Sequence, residues 1–300
     1  MEILCEAVWW SVDPYMRPYM SRYPEGTTMI GLQVAKIIDS RHADYPVGKH
    51  VVGYFGWRTH TVANVTVTPI PSHFPPYIIP EMGDLPLSLA LGALGRIGNT
   101  AYFGFKELCQ PKPGETVVVS GAGGAVGSHV GQMAHILGCK VIGFVGSDEK
   151  VKWLTEELKF DYAYNYHKTR VIDALNEAAP EGIDCYFDNV GGRMSSTVIS
   201  CMRDFGRVAI CGSISSYNEK ETPLAPVVQP FVVGKQLKME GFIVSRWKDR
   251  WMEGINQNLK WIQEGKLKWK ETVTTGFENI PKAFIGMLKG ENTGKAVVKA

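Results

Sequence analysis

Apolar and polar positions along the chain change their periodicity near residue 90. Before that point, short runs with strand-like alternation are separated by turn residues, as in residues 34–39, 50–55 and 61–67. After it, apolar runs typical of buried strands alternate with segments typical of helices. Strands are predicted at residues 116–120, 140–145, 162–166, 183–188, 206–211 and 238–244, and helices at residues 99–109, 125–137, 148–158, 169–178 and 192–203. This alternation predicts an α/β fold with a doubly wound parallel sheet.

The tail of the chain predicts two further strands and two further helices. The helices are expected at residues 249–264 and 280–289, and the strands at residues 271–275 and 296–299. These elements are expected to return to the β-rich first region, which would then be discontinuous. Two proline-dense segments are also present. Proline cannot continue a helix, so residues 69–86 predict a loop, and residues 221–230 predict either a flap over a site or a plain surface connection.

A glycine-rich turn follows the first strand of the parallel region. Its glycines are spaced Gly121-x-x-Gly124-x-x-Gly127, at the start of the helix predicted at residues 125–137. Glycine lets the backbone turn tightly and approach a pyrophosphate, and the following helix presents free N–H groups and the positive end of its dipole. Strand, turn and helix in this order predict a binding site for the phosphates of a dinucleotide.

The end of the second strand distinguishes between the two nicotinamide dinucleotides. An NAD site usually carries an acid there, about 20 residues further on, which binds the ribose 2′-hydroxyl. Here the strand tip reads Gly146-Ser-Asp-Glu-Lys150. The small residues leave space, Ser147 offers a hydroxyl and Lys150 offers a cation. These features favour the 2′-phosphate of NADPH. Asp148 is the alternative, either as an NAD-type acid or as a first-turn acid that the helix dipole favours.

Composition narrows the class of protein. The 300 residues are 45% hydrophobic and 21% charged, and a net charge of +2 gives no support to binding of nucleic acid or a membrane. The sequence has no apolar run long enough to span a bilayer, and its first residues lack the basic start of a signal peptide. The six cysteines show no ligand spacing. We therefore expect a cytoplasmic protein without disulfides or a bound metal.

Specific motifs occur along almost the whole chain. They include Asp13-Pro-Tyr-Met-Arg17, Asn99-Thr-Ala-Tyr-Phe-Gly104, Cys185-Tyr-Phe-Asp-Asn-Val-Gly-Gly192 and Gly294-Lys-Ala-Val-Val-Lys299. Together with the glycine-rich turn, they resemble the zinc-free medium-chain dehydrogenases/reductases, and among these the prostaglandin, leukotriene and alkenal/one reductases. The resemblance implies a GroES-like β-rich catalytic domain over residues 1–92 and 260–300. It implies a Rossmann NADPH-binding domain over residues 93–259.

The resemblance also implies an activity and a set of cofactor-binding residues. Such enzymes use NADPH to reduce the carbon–carbon double bond of α,β-unsaturated ketones and aldehydes, including 15-oxo-prostaglandins and lipid-derived alkenals, by hydride transfer to the β-carbon. Most are cytoplasmic homodimers. The residues implied to contact NADPH are Gly124, Ala125, Val126, Gly127, Lys150, Tyr166, Asn189, Cys211, Gly212, Ser213, Ile214, Ser215, Ser216, Tyr217, Phe242, Ile243, Val244 and Asn292, the last of them toward the nicotinamide.

Without a metal, the substrate carbonyl must be polarised by a hydrogen-bond donor. Tyr217 is the first candidate, because it follows the carboxyl end of a strand of the parallel sheet, where sites form in such folds; the alternative is a half-buried loop tyrosine. Tyr15 is the second candidate donor; the alternative is that its ring only packs under a proline turn. Arg17 and Arg22 are candidates for binding a fatty-acid carboxylate, or ordinary surface arginines.

Departures from the family pattern leave other functions open. Where zinc-dependent relatives carry Gly-His-Glu, this chain reads Gly31-Leu-Gln33, and leucine and glutamine are poor zinc ligands. Ser245 stands where many relatives have an aromatic, which predicts a wider or more polar substrate pocket. Family members begin with one or two strands upstream of Glu2, and their absence would open an edge of the catalytic domain. The alternatives are an NADPH quinone reductase, an NADP-dependent leukotriene hydroxyl dehydrogenase, or a catalytically impaired NADPH-binding protein.

Overall fold

The computed structural model describes residues 1–66 and 74–300, and their strands form two sheets. The first sheet has the order β12-β13-β1-β2-β3-β5, with β4 paired to β1. Its strands are antiparallel except for the parallel pair β12 and β13. The bounds are β1 Glu2–Ser11, β2 Gln33–Ser40, β3 His50–Gly53, β4 His60–Asn64, β5 Tyr77–Ile78, β12 Glu271–Thr275 and β13 Lys295–Lys299. The tail therefore returns to the β-rich first region, as predicted.

The second sheet is parallel throughout and has the order β11-β10-β9-β6-β7-β8. Its bounds are β6 Thr116–Ser120, β7 Lys140–Val145, β8 Tyr162–Asn165, β9 Ile183–Asp188, β10 Met202–Ile210 and β11 Lys238–Gly241. Val117 and Val119 pack against one side of the sheet and Val118 against the other. Both faces are thus covered, and the predicted doubly wound Rossmann sheet is confirmed.

The helices cover the parallel sheet and link it to the first sheet. They are α1 Met16–Met20, α2 Arg96–Phe103, α3 Ala125–Ile136, α4 Asp148–Lys152, α5 Val171–Ala178, α6 Gly192–Ser200, α7 Gln229–Gly234, α8 Trp251–Gln263 and α9 Ile280–Leu288. After α2 and α4 the chain continues in the wider π-helical turns of Gly104–Cys109 and Trp153–Glu157. No helix in the described ranges combines the length and apolar character needed to cross a bilayer.

Some predicted boundaries were wrong. Strand β10 begins at Met202 rather than at residue 206, because an irregularity at Phe205, whose φ is +61°, divides the strand without ending it. Strand β11 ends at Gly241, so residues 242–244 lie beyond it. Helix α7 begins at Gln229, where the sequence predicted a connection; proline suits a first turn because its missing N–H would be unpaired there. Residues 67 and 69–73 of the predicted strand and loop lie outside the described residues.

The proposed domain division at residues 92/93 and 259/260 stays a prediction. Helix α8 runs from Trp251 to Gln263 and crosses the second of these boundaries without a break. Between the two sheets, the loop that precedes β13 lies against the glycine-rich turn: the N–H of Gly294 donates to the carbonyl of Gly123 at 2.9 Å. The site described below draws on both sheets.

A buried ion pair fixes the segment that follows β1. The ammonium of Lys295 lies 3.1 Å from a carboxylate oxygen of Asp13, and both side chains are 4% exposed. The same ammonium donates to the carbonyls of Val12 at 2.8 Å and Ala296 at 2.7 Å, while the Ser11 hydroxyl donates to the other oxygen of Asp13. These bonds hold the Asp13-Pro-Tyr15 turn against β13.

Removing one partner of this pair should strongly destabilise the protein, because the other charge would stay buried without compensation. We expect Lys295→Met to lower the free energy of unfolding by about 3–5 kcal/mol, measured by urea denaturation. The control is Lys49→Met, which removes an exposed ammonium 3.6 Å from Glu81 and should cost about 0–1 kcal/mol. Equal losses in the two variants would contradict a structural role for the buried pair.

Candidate functional site

The glycine-rich turn has the backbone geometry that a phosphate site requires. Gly121 adopts a φ of +61°, a conformation that side chains disfavour, and Gly124 precedes the first residue of α3. A Cβ on Gly127 would lie 2.4 Å from the carbonyl oxygen of Gly121. Helix α3 can therefore pack close to β6 only with glycine at that position. The first turn of α3, which includes Ala125 and Val126, presents unpaired N–H groups at this point.

The carboxylate of Asp188 joins the loops at the carboxyl ends of two neighbouring strands. One of its oxygens accepts from the hydroxyls of Ser120 at 3.0 Å and Tyr186 at 2.8 Å, and from the N–H groups of Val190 at 3.0 Å and Gly191 at 2.9 Å. Asp188 is 3% exposed. The bonds cross the point between β6 and β9 where the strand order reverses, which is the usual ligand crevice of such sheets.

Asn189 lies at the same crevice. Its amide donates to the carbonyl of Ser120 at 2.7 Å, and its own carbonyl accepts from the N–H of Ile214 at 3.2 Å. The backbone of Asp188 likewise accepts from Cys211 at 2.8 Å and Gly212 at 3.1 Å. The loop after β10 is thus tied to the loop after β9, beside the glycine-rich turn.

Lys150 and Tyr166 converge at the tip of β7. The stem of Lys150 lies beside Gly123, where a Cβ would come within 3.0 Å of its Cδ, and the Tyr166 hydroxyl lies over Gly146, at 2.8 Å from a Cβ placed there. The ammonium of Lys150 donates to the carbonyl of Gly290 at 2.6 Å, and burial lowers its pKa. The side chain of Ser147 caps α4.

Asp148, the alternative ribose partner, has other contacts. One carboxylate oxygen accepts from the Asn165 amide at 2.8 Å, and the other accepts from the ammonium of Lys168. The bond from Lys168, followed by that from Asn165, lowers the pKa of Asp148. The carboxylate is therefore engaged with the segment after β8, which leaves the small residues and Lys150 at the strand tip.

Tyr217 lies at the end of the loop after β10 and folds back on it. Its phenol oxygen accepts from the N–H of Ser213 at 3.2 Å, so its own O–H is free to donate. Burial raises the pKa of Tyr217, against the lowering effect of the Ser213 bond. The side chain is half-buried, and the neighbouring Tyr19 acts on its ionisation. Helix α1 therefore lies next to this loop, and Arg17 of α1 donates to the side chain of Asn218.

Tyr15, the second candidate donor, lies at the start of α1. The Tyr54 hydroxyl donates to the Tyr15 hydroxyl at 2.6 Å, and the guanidinium of Arg96 lies 4.7 Å from the centre of the Tyr15 ring. Burial raises the pKa of Tyr15 well above that of an ordinary phenol, although Arg96 opposes the shift. Tyr15 and Tyr217 are thus both neutral donors at physiological pH.

Four other candidate residues lie near these tyrosines or near the glycine-rich turn. Arg17 donates to the side chain of Asn218 at 2.9 Å, and Arg22 lies over the Tyr19 ring at 4.3 Å. Burial raises the pKa of Cys211 to about 12, so its thiol stays protonated. Asn292 bonds to the carbonyl of Gly294 at 2.8 Å, which places it beside the glycine-rich turn.

Of residues 242–244, only Ile243 has an exposed side chain. The Phe242 ring packs over Gly104 and against Phe187, and Val244 is buried, whereas Ile243 is 52% exposed. In the loop after β10, Ser213 and Ser216 are joined through their hydroxyls at 2.9 Å, and Ser215 donates to the carbonyl of Val190 at 2.6 Å.

The place of the zinc-ligand motif is used differently here. The amide of Gln33 donates to the carbonyls of Gly56 and Arg58, and Leu32 lines an apolar pocket. Across residues 1–66 and 74–300, His, Cys, Asp and Glu side chains form no group of three that could hold a metal ion. All six cysteines are free thiols.

Sequence reasoning missed several residues that shape the site. Asp188 stood inside a quoted motif, yet its bonding could not be foreseen, because the groups it accepts from lie on two strands and a loop. Arg96 and Tyr54 belong to no motif. Arg96 begins α2 and lines the same pocket as Leu32, Tyr54 and Trp251.

Comparison with known proteins places this geometry in a family. Residues 125–261 match the family described as zinc-binding dehydrogenase, and residues 1–68 match the N-terminal domain of oxidoreductase. Prostaglandin reductase 1 of Bos taurus is 50% identical over 303 residues, which cover 100% of this chain and 89% of the bovine protein. The NADPH-dependent curcumin reductase of Escherichia coli (strain K12) is 37% identical, over 99% of this chain and 87% of that protein.

The solved structures agree with the sequence relatives. CurA from Vibrio vulnificus, in complex with NADPH, superposes with a TM-score of 0.89 at 36% identity, over 100% of this chain and 90% of that one. Quinone oxidoreductase of Escherichia coli, at 17% identity and a TM-score of 0.78, shares the fold. The chain therefore belongs to the prostaglandin reductase 1 family, within the NADP-dependent medium-chain dehydrogenases/reductases.

Proposed function

We propose that this protein uses NADPH to reduce the α,β-carbon–carbon double bond of enones and enals, including lipid-derived alkenals and 15-oxo-prostaglandins. The observation that carries the proposal is the position of Tyr217. Its hydrogen-bonded phenol lies beyond the carboxyl end of β10, on a loop that is tied to Asp188 and Asn189 at the crevice and that neighbours Tyr19 of α1. The names of relatives, which include a 2-alkenal reductase (NADP(+)-dependent) of Nicotiana tabacum, agree with this activity.

The residues at the crevice fit NADPH. Gly121 and Gly124 let the turn form at the amino end of α3, where free N–H groups could bind a pyrophosphate, and Gly127 lets that helix pack against β6. Lys150 and Tyr166 would hold the 2′-phosphate, because they offer a cation and a hydroxyl at the tip of β7, where Asp148 is engaged with Lys168. Asn189, residues 211–217, the backbone of residues 242–244 and Asn292 would line the rest of the cofactor.

Bound NADPH would supply the hydride, which adds to the β-carbon of the substrate. Negative charge then develops on the carbonyl oxygen, and the O–H of Tyr217 stabilises it by donating a hydrogen bond. The N–H of Ser213 orients that phenol by donating to its oxygen. Tyr15 is the second donor, oriented in the same manner by Tyr54. A proton from water completes the reduction at the α-carbon.

We further propose that the protein is a homodimer and works in the cytoplasm. Among the described residues, strand β11 is the edge of the parallel sheet and pairs on one side only. Just before it, Leu224, Val227 and Val233 expose 88%, 69% and 77% of their surface. An open strand edge next to apolar side chains is suited to pairing with a second copy. Free cysteines suit a reducing compartment.

The Tyr217→Phe variant tests the proposed chemistry. With an alkenal as substrate, we expect kcat to fall about 10²–10³-fold, because one donor to the developing oxyanion is lost, while NADPH affinity stays the same. In the native protein, the raised pKa of Tyr217 keeps the donor protonated, so kcat should not decline as the pH rises toward about 10. Tyr162→Phe on β8 is the control. An unchanged kcat in Tyr217→Phe would remove this phenol from the mechanism.

Lys150→Ala tests the cofactor assignment. We expect KM for NADPH to rise about 10- to 100-fold, because a charge-assisted bond to the 2′-phosphate is lost, while KM for NADH changes little. Steady-state kinetics with both cofactors measure the difference. Lys152→Ala, on the exposed face of the same helix, is the matched control. Equal losses with NADPH and NADH would show that Lys150 has no role in 2′-phosphate recognition.

The dimer proposal is tested by sedimentation equilibrium. The mass should be twice the chain mass of 33.2 kDa. We expect Val233→Asp to shift the equilibrium toward monomer, because it places a charge on the apolar surface next to β11. Lys260→Asp, on α8, is the control. A native protein that sediments as a monomer at micromolar concentration would contradict the proposal.

A further inference from the structure

Arg96 is a charged residue in an otherwise apolar pocket of the cleft. It is the first residue of α2 and lines this pocket with Leu32, Val52, Phe74 and Trp251. The rings of Phe74 and Trp251 pack at a tilt, with 4.2 Å between their centres. The wall of the pocket is therefore mostly apolar and carries a single cation.

The charge of Arg96 has no counter-ion among residues 1–66 and 74–300. Within the described residues, its guanidinium makes neither an ion pair nor a hydrogen bond, and its contacts are the rings of Tyr15 at 4.7 Å and Tyr54 at 5.9 Å. Asp13 acts on it electrostatically, but that carboxylate is already paired with Lys295. Among the described residues, the N–H groups of the Arg96 guanidinium therefore have no acceptor.

The position of Arg96 at the start of α2 makes its positive charge still less favourable. A cation in the first turn faces the positive end of the helix dipole, and the first turn of α2 contains no acidic residue. A charge that is removed from water without a partner is unfavourable. An anion bound in the pocket would offset both effects.

Two further polar groups of the same pocket lie close to each other and lack a well-formed hydrogen bond. The hydroxyl of Tyr77 and the indole N–H of Trp251 are buried and have no partner of good geometry within the described part of the chain, although the approach of the indole N–H opposes the rise that burial gives to the pKa of Tyr77. Trp251 is 8% exposed. Each can donate a hydrogen bond, and buried donors are normally satisfied. A guanidinium, an indole N–H and a phenol O–H together favour an acceptor with several lone pairs, such as a carboxylate.

We propose that this pocket binds the carboxylate of an acidic enone substrate, with Arg96 as its ion-pair partner and Tyr77 and Trp251 as additional donors. The proposal rests on the proposed reductase function and assigns a specificity-determining residue within it: Arg96 would favour enones whose chain ends in a carboxylate. Arg96 lies over the Tyr15 ring and also acts on the ionisation of Cys211, at the start of the loop that leads to Tyr217. The acidic end of the substrate would thus lie beside Tyr15.

Arg17 and Arg22, the arginines that the sequence singled out, are weaker partners for this group. Arg17 is bonded to Asn218, and Arg22 stacks on Tyr19 at the exposed end of α1. Arg22 is exposed, and an ion pair in water contributes little, whereas Arg17 is half-buried but already bonded. Arg96 offers the same chemistry in a less hydrated place.

The experiment compares two enones of equal chain length, one ending in a carboxylate and the other in its methyl ester. In the Arg96→Met variant, kcat/KM for the acid should fall about 10- to 100-fold more than for the ester, chiefly through KM. Arg96→Lys should restore part of the preference, and Tyr77→Phe should reduce it less than Arg96→Met does. Arg170→Met, an exposed arginine paired with Asp173, is the control for a lost positive charge.

Other outcomes overturn the proposal. An unchanged acid-to-ester ratio in Arg96→Met means that the pocket does not bind the carboxylate, and a ratio that collapses in Arg22→Met instead places the acid at α1. Equal losses of kcat for both substrates would assign Arg96 to carbonyl polarisation or to support of Tyr15.

A binding measurement separates this proposal from the reductase function. Dodecanoate and its methyl ester contain no reducible double bond, so their binding, followed by calorimetry, does not depend on turnover. We expect the native protein to prefer the acid and Arg96→Met to bind it at least tenfold more weakly. If the enones are not reduced but this preference is present, the reductase function fails and the anion site stands. If the enones are reduced but neither preference exists, the anion site fails alone.

Discussion

The buried carboxylate of Asp188 is the interaction on which the rest of the site depends. It accepts four hydrogen bonds at one oxygen and connects the end of β6 with the loop after β9. Its backbone carbonyl accepts from the loop that leads to Tyr217. A parallel sheet brings strand ends to one edge but does not fix the loops beyond them. Here one carboxylate fixes the crevice and, through the next loop, the position of the phenol.

The second requirement is that the β-rich sheet deliver its own residues to the same crevice. The Gly294 bond to Gly123 and the Lys295 pair with Asp13 follow each other along the chain. They join the glycine-rich turn to the turn that bears Tyr15. A site assembled in this way depends on a few buried polar bonds, whose loss is costly because their partners stay desolvated. Cofactor and substrate residues are thereby held in one arrangement.

The sequence alone predicted most of the fold, because its signals are local. The strands of the parallel sheet are apolar on both faces, and the glycine spacing marks the turn where α3 packs against β6. The start of β10 was misjudged because its first residue lies before the irregularity at Phe205. Helix α7 was missed because the prolines of residues 221–230 predict a connection, although proline fits a first helical turn. The site was only partly predictable. Tyr217 and Lys150 follow motifs, whereas Arg96 gains its character from a pocket built by residues far apart in the chain.

The central claim is that hydride from NADPH reaches the β-carbon of an enone. The most direct test uses NADPH deuterated at the transferable hydrogen, with an alkenal as acceptor and mass spectrometric and NMR analysis of the product. The account predicts a saturated aldehyde with one deuterium at the β-carbon. An allylic alcohol with deuterium on the former carbonyl carbon, or no product despite bound NADPH, would contradict it.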